Sequence, residues 1–437
     1  MYLYRPMSVF SQSILLAVLL GAVSLSPVAV GALDIFPFAP AAVALLVFAV
    51  HAFRHPRRRL SKRISIVLLS ICFGVTLSDL AARPLLLYLS STRPARRYIY
   101  RWPPLPQLQR YVAGVNFDGL TYGDLADVSG RSDWREWHRI KFVTDEYGFR
   151  NELPPAGSRA RPLDLIVLGD SFGVASATTQ EETLSSVLAR DYSQAVYNLS
   201  ISGEGHQQQY ANLLLEGQRL NTREGACVLW LIFAGNDLDE LYYPELETPR
   251  PARLGVFARF AAGVVDFRAR SPIHRLLSGN DSRSIIERKF IDGRRMLFNE
   301  YYAQRRWRTA QDVMRHPNFE HLKKTFSAMQ RLAGERRLQV SVALVPSKEE
   351  VYSWVLDGAP AWSANKEPSG FSDVLRPLCR EHGFSFLDLK PVLLEDARRE
   401  NEKSGALLWW PDDSHWNGIG QRAAARAIYQ NLLTHPE

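Results

Sequence analysis

Between residues 161 and 437, short apolar runs alternate with longer mixed stretches. The runs at 163–168, 195–199, 227–233, 340–345 and 384–387 are too apolar for a sheet with one wet face. They read as strands buried on both sides of a parallel sheet. Stretches at 182–190, 207–220, 319–336 and 419–433 read as the helices between and after them. Strand–helix alternation predicts an α/β domain, a doubly wound parallel sheet with helices on both faces.

Nearer the N-terminus the pattern changes. Residues 11–33, 36–53 and 64–90 form three apolar runs. Each approaches the roughly 20 residues that cross a bilayer. The expectation is a transmembrane region of about three helices over residues 1–91, with the lipid bilayer as a partner. The first run has a second reading as a signal peptide, with Val30-Gly31-Ala32 as a loose cleavage site. Arg54, Arg57, Arg58, Arg59, Lys62 and Arg63 lie between the second and third runs, and such a dense loop stays cytoplasmic. The chain is then a multi-pass protein of a bacterial inner membrane, with everything after about residue 91 on the periplasmic or extracellular side. Residues 92–160, rich in Pro, Arg, Tyr and Trp, read as a connecting segment, and 161–437 as the main domain.

Composition narrows the classes. At 46% hydrophobic and 22% charged, the chain is not globally disordered. A net charge of +8 suits an anionic surface, an acidic glycan or nucleic acid. There is no zinc finger, RNA-binding signature or lysine-rich arm, so nucleic acid is not an expected partner. Residues 250–317 hold 15 Lys and Arg against 6 Asp and Glu and interrupt the strand–helix rhythm. They read as a basic helical insertion that either receives an acidic group or is simply a solvated surface. Cys72, Cys227 and Cys379 lack metal-ligand spacing and are expected as free buried thiols.

Four short stretches fall at the ends of the expected strands, where open α/β sheets bind ligands. Ser171 follows the first strand in Gly169-Asp170-Ser171, and Gly203 follows the second. Asn236 follows the third in Gly235-Asn236-Asp237, and His415 closes Asp412-Asp413-Ser414-His415. Acyl transfer needs such parts: a hydroxyl with a base, a carboxylate to hold the base's tautomer, and donors for the oxyanion.

The set resembles the SGNH hydrolases, the GDSL esterase/lipase family. Its blocks appear in order as Gly169-Asp170-Ser171, Gly203, Gly235-Asn236-Asp237 and Asp412-x-x-His415. The resemblance, to a membrane-anchored bacterial envelope type, implies a flavodoxin-like parallel sheet. It implies Ser171 as nucleophile, His415 as base and Asp412 as orienting acid. The Ser171 N–H, the Gly203 N–H and the Asn236 side chain would form the oxyanion hole. Asp413 is the alternate acid, because Asp413-x-His415-Trp416 fits SGNH-like proteins of polysaccharide acetylation. Similar stretches to Pro346–Tyr352 occur in such proteins, and the resemblance implies Lys348 or Tyr352 as a sugar contact; the other reading is a helix start capped by Ser347. Gly169-x-Ser171-x-Gly173 also matches the α/β-hydrolase elbow, which expects several strands before the serine and its acid and histidine on separate loops. The expected activity is hydrolysis of an O-acyl ester of an envelope glycan or lipid, without metal or organic cofactor. The alternatives are an O-acyltransferase working with a membrane partner, and a non-catalytic glycan-binding scaffold.

Overall fold

The computed structural model describes residues 93–152, 161–252, 285–361 and 367–434, with four isolated helical positions before them. The chain divides into two compact units, residues 1–90 with 254–281 and residues 91–253 with 282–437. The second unit holds all the described strands.

Its strands are β1 (Ile99–Arg101), β2 (Gln109–Tyr111), β3 (Asn116–Thr121), β4 (His138–Val143), β5 (Leu163–Leu168), β6 (Val196–Asn198), β7 (Thr222–Phe233), β8 (Ile285–Lys289), β9 (Arg295–Asn299), β10 (Gln339–Val345) and β11 (Ser385–Asp388). Five of them form one sheet in the order β11-β10-β7-β5-β6. All its pairings are parallel. Chain order reverses between β5 and β7, which makes their carboxyl ends the switch point where such sheets take ligands.

Alternation along the central strands builds two cores. Leu165, Val167, Leu229, Leu231, Ala343 and Val345 face one side, with helices Leu184–Asp191, Lys390–Ser404 and Gly418–Ile428 packed over them. Ile166, Leu168, Val228, Trp230, Val342 and Leu344 face the other, under helices His206–Glu216, Phe319–Arg336 and Gly370–His382. The sheet is therefore covered on both faces, as the unbroken apolar runs require. Cys227 and Cys379 are free and buried.

Two expectations are corrected. Among the described residues, no helix is long and apolar enough to cross a membrane. The expected transmembrane region, and the inner-membrane placement that rested on it, are therefore withdrawn. Apart from four isolated positions, the three apolar runs lie outside the described residues. Second, the basic stretch is not uniformly helical: β8 and β9 form an antiparallel hairpin across Asp292-Gly293, and short helices Glu300–Arg305 and Ala310–Met314 follow. An Asp-Gly pair between apolar stretches is a hairpin signal that outweighs the arginines around it. The connecting segment carries the pairs β1–β2 and β3–β4 and helix Asp124–Ser129, and belongs to the same compact unit as the sheet.

Candidate active site

Ser171 begins a single helical turn, Ser171–Val174, directly beyond β5. Asp170 caps the turn, accepting from the Phe172 N–H at 2.9 Å. Ala175 closes it in the left-handed region at φ 59°. One turn accumulates little dipole, so the helix end offers local N–H groups more than a field.

His415 reaches this serine from the far end of the chain. Its Nε2 lies 2.7 Å from Ser171 Oγ and its Nδ1 2.6 Å from Asp413 Oδ1. A carboxylate only accepts, so Nδ1 carries the proton and Nε2 is left to accept from the hydroxyl. The same Asp413 oxygen accepts from the His415 N–H at 2.9 Å. The other accepts from the Asp124 N–H at 3.0 Å and pairs with Arg93 at 3.2 Å.

Asp412 does not take the position expected of it. Its Oδ2 accepts from the N–H groups of Gly123 at 2.8 Å and Glu136 at 2.9 Å. It anchors the segment before β4 instead of the histidine. Gly123 is required at this approach, since a Cβ there would lie 1.9 Å from Asp412 O. The carboxylate two residues before His415 turns toward the ring, and the one three before turns away.

Lys348 and Tyr352 are also placed differently from expectation. Lys348 is 1% exposed, and its Nζ donates to the carbonyls of Trp410 at 2.9 Å, Pro411 at 2.9 Å and Asp413 at 3.0 Å. All three ammonium donors are committed to the histidine loop, so none faces a substrate. Tyr352 is fully buried, and its hydroxyl accepts from the Leu408 N–H at 2.9 Å. Ser347 and Glu350 form a capping box, so this stretch is the helix start that was the other reading.

The two remaining residues stand on neighbouring strand-end loops. Gly203 has φ +72°, a conformation that favours glycine. Its loop lies against the serine's: the Ile201 N–H donates to Gly169 O at 3.2 Å, and Ser202 Oγ lies 2.8 Å from Ser176 Oγ. Asn236 sits beyond β7 with Nδ2 donating to Glu240 Oε1 at 3.3 Å, while its buried Oδ1 has no partner. The two loops meet at Gly205, where a Cβ would lie 2.6 Å from Glu240 Cβ.

Three residues of the connecting segment support the site, a role not expected of them from sequence. Arg93 pairs with Asp413, and at 3.7 Å with Asp124. Asp124 accepts from the Ser414 N–H at 2.7 Å and its hydroxyl at 2.5 Å. Arg150 is buried and donates to Val174 O at 2.9 Å, Ala175 O at 2.7 Å, Thr178 O at 2.8 Å and Lys141 O at 2.9 Å. It also donates to Gln180 Oε1 at 3.0 Å. It clasps the chain just after the serine's turn. No spacing rule links residues 93, 124 or 150 to the other motifs, so only their unusual density of Arg and Tyr was visible.

The electrostatics follow from these contacts. Burial by itself lowers the pKa of His415, but Asp413, with help from Asp124, reverses this and leaves it above the ordinary value of 6.5. Burial pushes Asp413 up, yet Arg93 and His415 overcome it and hold it well below the usual carboxylate range. Asp412 is raised, first by burial and also by the neighbouring Asp413. Burial lowers Lys348 to about 8 against the pull of Glu349, Asp412 and Asp413. Asp124, Asp413 and His415 also place three potential metal ligands together. Hydrogen bonding within the group, to Ser171 and to Arg93, already accounts for their arrangement.

No protein-family model matches this chain, and no curated protein does. Among solved structures it is similar to the psychrotrophic esterase EstA of Pseudoalteromonas sp., a structure inhibited by monoethylphosphonate. Identity is 13%, coverage is 62% of this chain and 96% of that one, and the TM-score is 0.30. A likeness at that score carries no weight for fold or function.

Proposed function

We propose that this protein is a serine esterase that cleaves an O-acyl ester of a glycan or lipid. One observation carries the reading: a continuous hydrogen-bonded line from Ser171 Oγ to His415 Nε2 at 2.7 Å and from Nδ1 to Asp413 at 2.6 Å. Ser171 Oγ attacks the ester carbonyl while His415 Nε2 takes its proton, and charge moves onto the carbonyl oxygen. Asp413 holds the tautomer and stabilises the imidazolium. The Ser171 and Gly203 N–H groups and Asn236 Nδ2 receive the oxyanion. The intermediate collapses, the C–O bond breaks, and the alcohol leaves with the proton from His415. A water molecule then repeats the sequence on the acyl-enzyme, releasing the acid and restoring Ser171.

The test is active-site labelling with a fluorophosphonate. The protein labels on Ser171, and Ser171→Ala abolishes both label and ester turnover. A well-folded protein that takes no label would support the non-catalytic binding alternative instead. Turnover of an acylated saccharide with and without an acceptor sugar separates hydrolysis from transfer.

A further inference from the structure

Beside the proposed site lies a second concave region. It is open to solvent, with ≈ 20 Å³ of water-accessible space, and is walled by Gly235, Tyr302, Arg305, Arg306, Arg308 and Ser347, among others. Gly235 immediately precedes Asn236, and Arg305 Nη1 lies 3.4 Å from its carbonyl. The Tyr302 ring is 5.4 Å from Phe233, which is 4.6 Å from Phe172, the residue after Ser171. The cleft and the serine thus share one edge of the sheet.

Its charge is unbalanced. Asp239 pairs with Arg305, with Arg308 at 3.4 Å and with His316 at 3.0 Å. One carboxylate gathers two guanidinium groups and an imidazole. Burial and the proximity of Arg308 bring Arg305 down to about 10, and burial with both arginines lowers His316. Arg306 pairs with Asp357, yet its buried Nε has no hydrogen-bond partner. Glu350 is on the wall too, but it is buried and accepts from the Ser347 N–H at 2.8 Å. Tyr301 and Trp307, at 42% and 60% exposure, stand on the same segment. The rings of both lie against arginines, with Arg305 3.5 Å from Tyr301 and Arg306 4.8 Å from Trp307. Flat guanidinium groups suit a planar carboxylate, and exposed aromatic faces suit the apolar face of a sugar.

We propose that the cleft of Arg305, Arg306 and Arg308 binds the carboxylate of an acidic sugar, one residue away from the expected oxyanion donor. That this sugar is part of the substrate rests on the esterase reading; the binding does not. An incoming carboxylate relieves the repulsion among the arginines and competes with Asp239 for them.

Calorimetry on the full chain at low salt tests this with trigalacturonate and maltotriose. The acidic trisaccharide binds at least about tenfold tighter than the neutral one, and the Arg305→Gln/Arg308→Gln variant loses that preference. Asp239→Asn, which releases both arginines, tightens trigalacturonate about tenfold, a gain that no folding defect imitates. Equal affinity for the two saccharides, no binding of trigalacturonate, or an unchanged affinity in Asp239→Asn would overturn the inference. Fluorophosphonate labelling run in parallel keeps the two readings apart. Labelling without trigalacturonate binding removes only the cleft; binding without labelling removes only the esterase.

Discussion

On the histidine flank of Ser171, both imidazole nitrogens and both Asp413 oxygens have partners at 2.6–3.2 Å. On the donor flank, the Asn236 side chain makes one 3.3 Å bond to Glu240, and its amide oxygen makes none. The first flank is assembled from residues 93, 124, 348 and 413–415, distant in sequence and locked together in a buried cluster. The second is assembled from loops that leave β6 and β7, the strands on either side of β5. The difference matches the tasks proposed for them. A proton relay needs its tautomer and alignment before substrate arrives. Oxyanion donors are needed when negative charge develops, so their full set of bonds is completed only then.

Asp413→Asn acts most strongly on the histidine flank. It removes the acceptor that fixes the tautomer, and kcat for a model ester is expected to fall roughly 10³–10⁴-fold. The pH profile of kcat/KM reports on the same contact. The base must be neutral, so activity is lost as pH falls through the His415 pKa, with an inflection above 6.5. In Asp413→Asn the burial of the ring is no longer offset, and the inflection moves to lower pH. An inflection that stays put would mean Asp413 is not what holds the imidazole.

On the other flank, Asn236→Ala is expected to lower kcat by roughly 10²–10³ with little change in KM. A change in KM alone would make Asn236 a substrate contact and not an oxyanion donor. Lys348→Met leaves three carbonyls of the histidine loop without their shared donor. A drop in kcat of roughly ten- to a hundredfold is expected from the looser loop, with the His415 inflection unmoved. The smallest effect belongs to Asp412→Asn. An amide oxygen still accepts from Gly123 and Glu136. The rate should stay within about tenfold, with roughly 1–2 kcal/mol lost in denaturant unfolding. If Asp412→Asn proved as damaging as Asp413→Asn, the roles assigned to these neighbours would be wrong.

Much of the sheet was legible because its strands are buried on both faces, a condition that leaves unbroken apolar runs such as 227–233 and 340–345. The hairpin at β8–β9 was missed because its arginines and lysines drew attention from Asp292-Gly293, the dipeptide that turns it. The β1–β4 segments were missed because β1 and β2 hold three residues each, and β3 and β4 mix apolar with polar or charged positions and so leave no unbroken apolar run. The Ser347-capped helix start at Lys348 is legible from local sequence, but the burial of the ammonium is not, because the three backbone carbonyls that make it tolerable lie on the distant histidine loop.

From the chain alone one could place Ser171, Gly203, Asn236 and His415 at expected strand or loop ends, because local burial patterns and turn residues act over a few positions. Which of two adjacent aspartates turns toward the imidazole was beyond that reach. The choice was made by Gly123 and Glu136, whose N–H groups take one carboxylate, and by Arg93 and Asp124, which help hold the other. Those partners lie roughly 280–320 residues away. Only the folded chain brings them to bear, because hydrogen bonds and ion pairs of this strength act over a few ångströms of space and not along the sequence.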